Sequence, residues 1–460
     1  MRVQRSLTKL TGGEKLSTLE LIILITELSL PAIAAQITQV VMEYVDASMV
    51  GQLGAGSSAA IGLIGPTTWL FGSLMYAAVM GFSIQMAQYI GARDRRKAHD
   101  ILYEGLTVIL IVSVLGGALC VMLSGPLPVF LGGSEEIVPL SSSYFRIYAL
   151  GAPVMVMGFY FGAMLQSSGK LLVSGLIQII ICIMNVVFNF FCIFDEVPVR
   201  LGDTAFKGLG LGVAGAALGT VMAQALGLLI FIICMFKFND SWHYEGKAGF
   251  HKADLQKAFR IALPLAVEET ILQGAQIASI LIVSPLGTVS IAAHSLAVTA
   301  EGLCYMPGNG VQQAASTLIG QSTGAGRKDL IKKLSVLVVG FGMLIMTVMG
   351  VLLYFFAGTA MGVMTPDTEV RELGTAVLRI EAFAEPFFAA YIVSSGVFRG
   401  MGDTVTPSVI SMSSMWLIRI PLAFFLSARM GLRGVWIAMA VELTVRGLVM
   451  ISRLAMKKQK

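Results

Sequence analysis

The chain has 460 residues, of which 56% are hydrophobic and only 13% charged, with a mean hydropathy of +0.81. So little polar side chain cannot cover a water-soluble globule, which excludes soluble enzymes and soluble nucleic-acid-binding domains and leaves an all-α integral membrane protein. The net charge of +5 then reports how the chain sits in a bilayer, because no soluble basic face exists to hold a nucleic acid.

A spanning helix needs roughly 20 apolar residues, and about twelve such stretches follow one another along the chain. The first, 20–49, carries Glu27, Pro31, Glu43 and Asp46. It runs far past signal-peptide length without a small-residue cleavage site, so it is predicted to be a span and not a cleaved leader. Glu43 and Asp46 are three apart and share a helix face, with Asp46 roughly 22 Å along the helix from Pro31. Spans at 57–83 and 99–123 follow, separated by Arg93, Arg95, Arg96 and Lys97. Next come 138–165, with Arg146 and Pro153, and 171–194, on which Asn185 and Asn189 lie one turn apart. The sixth span, 209–236, opens on Gly210-x-Gly212-x-x-Gly215, which spells a dinucleotide fingerprint. It follows no strand and leads straight into a span, so no cofactor is expected.

A polar stretch from Lys237 to Lys247 closes the first half, and the predicted organisation is an N-terminal lobe at 1–240, a cytoplasmic linker at 241–255 and a C-terminal lobe at 256–460. The seventh span, 256–283, places Glu268 and Glu269 about one turn after Pro264, where the missing N–H loosens the hydrogen-bond ladder. The eighth, 290–316, carries His294 and Glu301; the ninth is 329–357; the tenth, 371–396, carries Arg379, Glu381 and Glu385. After it, Gly400-Met401-Gly402-Asp403 resembles the motif of intramembrane aspartyl proteases, but no second Asp stands ready to share a proton, so a helix turn is expected. The last spans are 405–428 and 433–456, the latter with Glu442. Cys120, Cys182, Cys192, Cys234 and Cys304 all lie in apolar runs, where they are read as small hydrophobes; neither a disulfide nor a metal is expected from them.

The halves are copies. Pro31 and Pro264, Leu53-Gly54 and Leu286-Gly287, Gln88 and Gln321, Gly91-Ala92 and Gly324-Ala325, Arg146 and Arg379, Pro153 and Pro386, and Gly169 and Gly402 are each 233 residues apart. Six spans per copy is an even number, so both copies enter from the same side as pseudo-symmetric six-helix lobes related by an axis along the membrane normal. Most Lys and Arg fall on the side of the termini, including Arg2, Arg5, Lys9 and Lys15 at the start, Lys247, Lys252 and Lys257 between the copies, Lys328, Lys332 and Lys333, and Lys457, Lys458 and Lys460 at the end. That bias predicts cytoplasmic termini in a plasma (inner) membrane.

Acids inside spans are costly, about 2.5–3.5 kcal/mol each on insertion scales, and are functional candidates for that reason. At the 233-residue offset Asp46 faces Ser279, Glu43 faces Gln276, Glu268 faces Ala35, Glu269 faces Gln36, Glu301 faces Thr68, Glu381 faces Tyr148 and Glu385 faces Ala152. None of these acids has an acidic twin, so shared prolines and glycines are scaffold and the acids are lobe-specific chemistry. Asp46, Glu268 and Glu301 are the candidates for coupling an ion or proton, with Na⁺ near Asp46 or Glu268 as one form. Glu43, Glu269, Asn185 and Asn189 are candidates for lining a substrate or ion cavity; for the asparagines, interhelical hydrogen bonding is the alternative.

Tyr44-Val45-Asp46, Ala293-His294-Ser295, Glu301-Gly302-Leu303-Cys304-Tyr305-Met306-Pro307-Gly308, Thr317-Leu318-Ile319-Gly320-Gln321-x-x-Gly324-Ala325-Gly326 and Phe398-Arg399-Gly400-Met401-Gly402-Asp403-Thr404-x-x-Pro407 together resemble the multidrug and toxic compound extrusion (MATE) transporters of the MOP flippase superfamily. The resemblance runs from about residue 20 to residue 455. It implies a monomeric twelve-helix antiporter that expels small cationic or amphiphilic substrates in exchange for H⁺ or Na⁺ by alternating access. It assigns ion coupling to Asp46, and it matches Glu268 and Glu301 to acids of part of the family. Where some members place an Asp one turn after the fifth-helix Asn, this chain has Asn189. A lipid-linked oligosaccharide or polysaccharide flippase is the alternative within the superfamily, and a membrane-embedded enzyme is the alternative outside it; the acid-biased interior favours cationic cargo, and no nucleophile or paired-Asp constellation favours the enzyme.

Overall fold

In a bilayer a backbone can satisfy its polar groups only within helices or closed barrels, so apolar stretches of this length are expected to be helical. A computed structural model describes residues 2–12, 14, 16–201, 204–238 and 249–456. Residues 241–248 of the predicted linker, with Lys247, lie outside the described residues, as do Lys15, Lys457, Lys458 and Lys460.

A short helix α1 (Arg2–Thr11) precedes α2 (Thr18–Gly51), α3 (Ala55–Gly91), α4 (Arg95–Leu123), α5 (Pro126–Phe130), α6 (Ile137–Ser167) and α7 (Leu171–Ile193). The strands β1 (Glu196–Leu201) and β2 (Thr204–Lys207) then form an antiparallel hairpin, with Leu201 opposite Thr204. Apart from this short strand pair in the polar connection that follows α7, the described chain is helical, as the all-α reading expects. The chain continues through α8 (Gly212–Phe238), α9 (Lys252–Val283), α10 (Thr288–Gly324), α11 (Lys328–Met364), α12 (Thr368–Glu381), α13 (Glu385–Gly400), α14 (Val405–Ser414), α15 (Ile420–Met430) and α16 (Leu432–Met456), with a π-helical turn at Met415–Arg419 joining α14 to α15.

Among the described residues, ten helical segments are long and apolar enough to cross a membrane by length and composition. The two remaining expected spans are α10, which is diluted by Glu301, Asn309, Gln312, Gln313 and Gln321, and the α12–α13 pair, which is interrupted at residues 382–384. Twelve spanning elements are therefore present in the order predicted.

The duplication is written into the backbone. Helix α3 starts and stops at residues 55 and 91, and α10 at 288 and 324, the same 233-residue offset at both ends. The left-handed turns repeat as well: φ is +106° at Gly54 and +97° at Gly287, +78° at Gly169 and +83° at Gly402, and +57° at Arg93 against +68° at Gly326. Glycine adopts that region freely, whereas a side chain such as Arg93 is strained there; its guanidinium is anchored to Thr8 O at 3.1 Å. Most telling, a Cβ on Gly91 would meet the backbone carbonyl carbon of Gln321 at 2.6 Å, and one on Gly324 would meet that of Gln88 at 2.6 Å. Each copy thus receives the other's glutamine backbone in the same way, a close approach that only glycine permits.

The chain divides into two compact units, one of residues 1–37, 87–93 and 260–460, the other of 38–86 and 94–259. In the second, α8 packs against α6 and α7, with Gly215 and Gly219 lying on the α7 backbone at Cys192 and Asn189. In the first, α10, α11, α13 and α16 form the core, and Gly396 and Gly400 of α13 lie on the backbone of α10 at Gln312 and Ser316.

The copies also differ. Where α6 is continuous, its counterpart breaks between α12 and α13; where α7 is a regular α-helix, its counterpart contains the π-turn. π-turns of this kind recur at functional sites.

Candidate functional site

In the unit of residues 38–86 and 94–259, four side chains from three helices form one hydrogen-bonded chain. Thr220 on α8 donates its hydroxyl to Ala216 O at 3.0 Å, which leaves its oxygen to accept from Asn185 Nδ2 on α7 at 3.1 Å. Asn189, one turn further along α7, donates through Nδ2 to Asn185 Oδ1 at 3.2 Å and to Asp46 Oδ1 on α2 at 2.7 Å. A carboxylate only accepts, so the Asn189 amide must turn its nitrogen to Asp46. Its oxygen is thereby aimed elsewhere, and Asn189 Oδ1 is buried with no hydrogen-bond partner. Gly219 makes room for this amide, because a Cβ there would stand 3.1 Å from Asn189 Cγ. The hydrogen-bonded chain thus ends on a carboxylate at one side and leaves one buried amide oxygen without a donor, which a proton or a hard cation could satisfy. Glu43 does not join it: Glu43 is exposed and accepts from Gln39 Nε2 at 3.4 Å on its own helix.

Residues 1–37, 87–93 and 260–460 hold the other acids in three arrangements. Glu268 on α9 is buried and well partnered: it accepts from Tyr391 at 3.0 Å and Ser408 at 2.6 Å, and Arg399 stands 3.6 Å away. Glu269 beside it is half-buried. Glu442 on α16 lies between two guanidiniums, Arg419 at 2.8 Å and Arg446 at 2.5 Å, with Ser414 donating at 2.5 Å; Arg446 also caps the Tyr391 ring at 4.7 Å. These charges are closed internally. No hydrogen bond or ion pair joins Glu268 to Glu301 among the described residues.

Glu301 instead lies within electrostatic reach of Glu381, the last residue of α12, Glu385, the first of α13, and the guanidinium of Arg419. All three acids are buried, and Glu381 Oε2 and both Glu385 oxygens have no hydrogen-bond partner. Glu381 and Glu385 were not among the site candidates read from the sequence; Arg379 beside them turns to Tyr354, donating to its carbonyl at 3.3 Å and lying over its ring. The overlooked signal was Glu381-Ala382-Phe383-Ala384-Glu385-Pro386, two acids at either side of a break that the first copy lacks. His294 accepts from Trp436 Nε1 at 3.2 Å, the contact of a satisfied helix histidine.

An unpaired buried carboxylate opposes folding. Glu385→Met is accordingly expected to raise stability by about 1–3 kcal/mol in thermal unfolding of the detergent-solubilised protein; a loss of that size would mean that the Glu385 oxygens have partners after all.

The MatE family model matches residues 31–191 and again 264–425, one match per copy. A protein of Thermotoga maritima named probable multidrug resistance protein NorM is 25% identical over 430 residues, covering 91% of this chain and 89% of that one. Among solved structures, a MOP superfamily transporter from Pyrococcus furiosus superposes with a TM-score of 0.87 at 20% identity, covering 98% of this chain and 99% of that one. The MATE transporter VcmN of Vibrio cholerae in its bent form gives 0.85 at 19% identity, covering 95% and 97%.

Proposed function

The chain belongs to the MatE family of membrane transporters, and on that premise we propose that it is a multidrug efflux antiporter exchanging organic cations or amphiphilic drugs for H⁺ or Na⁺. Proteins of this kind move solutes and carry out no covalent chemistry, so no catalytic residues are assigned. The observation that supports ion coupling is the Asp46–Asn189–Asn185–Thr220 chain with its unpartnered oxygen on Asn189.

Protonation of Asp46 turns a pure acceptor into a donor. The Asn189 amide then gains by rotating, so that Oδ1 accepts from the carboxyl and Nδ2 is released. Na⁺ acts on the same atoms by drawing the oxygens of Asp46, Asn185, Asn189 and Thr220 around itself. Either ion gives α2 and α7 two discrete hydrogen-bonded states, and a ligand that favours one of them shifts the population. An organic cation competes for the Asp46 charge in the state open to the cytoplasm. In this reading the lobes, 1–240 and 256–460, rock as near-rigid bodies within one monomer. Both termini are cytoplasmic, following the basic bias of that side. No cofactor beyond the coupling ion is invoked.

The deciding experiment is movement of a fluorescent organic cation by purified protein in proteoliposomes, first under an imposed pH gradient and then under an imposed Na⁺ gradient. One gradient is expected to drive accumulation that collapses with an ionophore. Indifference to both removes the antiport reading.

A further inference from the structure

A separate ionisable cluster stands where α9 begins. On α4, Asp100 and Glu104 are buried one turn apart. Both accept backbone N–H groups from the segment leading into α9: Asp100 Oδ1 from Gly249 at 2.9 Å and Glu104 Oε1 from His251 at 2.6 Å. The His251 imidazole comes to the same carboxylates, its Nδ1 3.5 Å from Glu104 Oε1 and 4.0 Å from Asp100 Oδ2. Asp254, in the first turn of α9, completes the group, with one ligand atom each from Glu104, His251 and Asp254 all within 4.8 Å of one another.

Anchoring the N-terminus of α9 explains one oxygen of Glu104 and one of Asp100. It leaves Glu104 Oε2 unexplained: this side chain is fully buried, and that oxygen has no hydrogen-bond partner. An unpartnered acceptor on a fully buried carboxylate that already stands beside an imidazole and a second carboxylate is what a bound cation would satisfy.

We propose that Glu104, His251 and Asp254 form a site for a borderline divalent metal ion such as Zn²⁺. One imidazole nitrogen and two carboxylate oxygens match Zn²⁺ and its first-row neighbours, whereas Mg²⁺ and Ca²⁺ prefer all-oxygen shells. Three protein ligands leave a position for water, and the half-exposed His251 ring opens the site to solvent. Glu104 keeps Oε1 on the His251 N–H and ligates through Oε2, so the backbone hydrogen bond orients the ligand. The bound ion ties α4 to the first turn of α9 within the unit that carries Asp46.

The test uses the full-length, tag-free protein in detergent, stripped with chelator and titrated with Zn²⁺, with Mg²⁺ as the control. Saturable binding of one Zn²⁺ per chain is expected, together with a rise in Tm that Mg²⁺ does not produce. His251→Ala retains the backbone N–H and removes only a half-exposed ring; it is expected to weaken Zn²⁺ binding about tenfold or more and to cancel the rise, with the metal-free Tm unchanged. If that variant fails to fold, His251→Gln reads out the same way. Equal Zn²⁺ binding and equal Tm response in wild type and the His251 variant would overturn the site, and so would no saturable binding by wild type.

Discussion

Asp46→Asn is expected to reduce gradient-driven transport to the background of protein-free liposomes while leaving the Tm close to that of wild type. The two halves of this expectation have separate physical origins. Asn is isosteric with Asp, and its amide oxygen still accepts from Asn189 Nδ2 at the 2.7 Å contact that Asp46 makes, so α2 and α7 remain joined. The substitution removes the only group in the hydrogen-bonded chain that can change charge. A ligand that cannot bind one state better than the other shifts no equilibrium, however large its gradient. Proteoliposome transport and detergent Tm, measured on one preparation, separate the two. Transport near the wild-type rate would show that coupling resides elsewhere, with Glu301, Glu381 and Glu385 next in line; a collapse in Tm would make Asp46 a structural acid.

The duplication, the twelve spanning elements and the scaffold role of the shared glycines were legible because they depend on local rules. Residues 233 apart need the same turn, and the turn angles at Gly54 and Gly287 agree within ten degrees. The paired strands Glu196–Leu201 and Thr204–Lys207 were not legible as structure against a dozen stronger hydrophobic signals. For the acids, subtracting one copy from the other identified residues without twins but not their partners. Asn189 and Asp46 are 143 positions apart, and nothing in the spacing of either helix says that they touch. Glu268 carried the same sequence signal as Asp46, an unmatched acid in a span, yet Tyr391, Ser408 and Arg399 satisfy it. An acid held by an amide that is itself left unsatisfied and an acid closed by two hydroxyls and a guanidinium look alike until the fold is formed. The departures from symmetry are informative in the same way. The break before Glu385 and the π-turn ending at Arg419 occur in the second copy alone, beside the charges that are also found there alone.

Glu442→Ala is the counterpart to the Asp46 experiment, and it is expected to destabilise the protein by about 3–5 kcal/mol, with loss of folded protein in the membrane. Glu442 has no exposure, and Arg419 and Arg446 are each under a tenth exposed, so removing the carboxylate strands two guanidiniums away from water. The damage spreads along identifiable contacts. Arg446 stacks on the Tyr391 ring, and Tyr391 donates to Glu268, so three helices lose their register at once. Replacing Glu442, Arg419 and Arg446 together by methionine removes the stranded charge along with its partner. That triple variant is expected to recover much of the lost Tm, because a buried ion network replaced by apolar groups of similar volume is often neutral in stability. Measured side by side, Glu442→Ala losing the fold and Asp46→Asn losing only transport would assign Glu442 to architecture and Asp46 to coupling. A Glu442→Ala protein with wild-type Tm would mean that water or lipid headgroups reach Arg419 and Arg446, and the charge network of the second copy would then belong to the transport path.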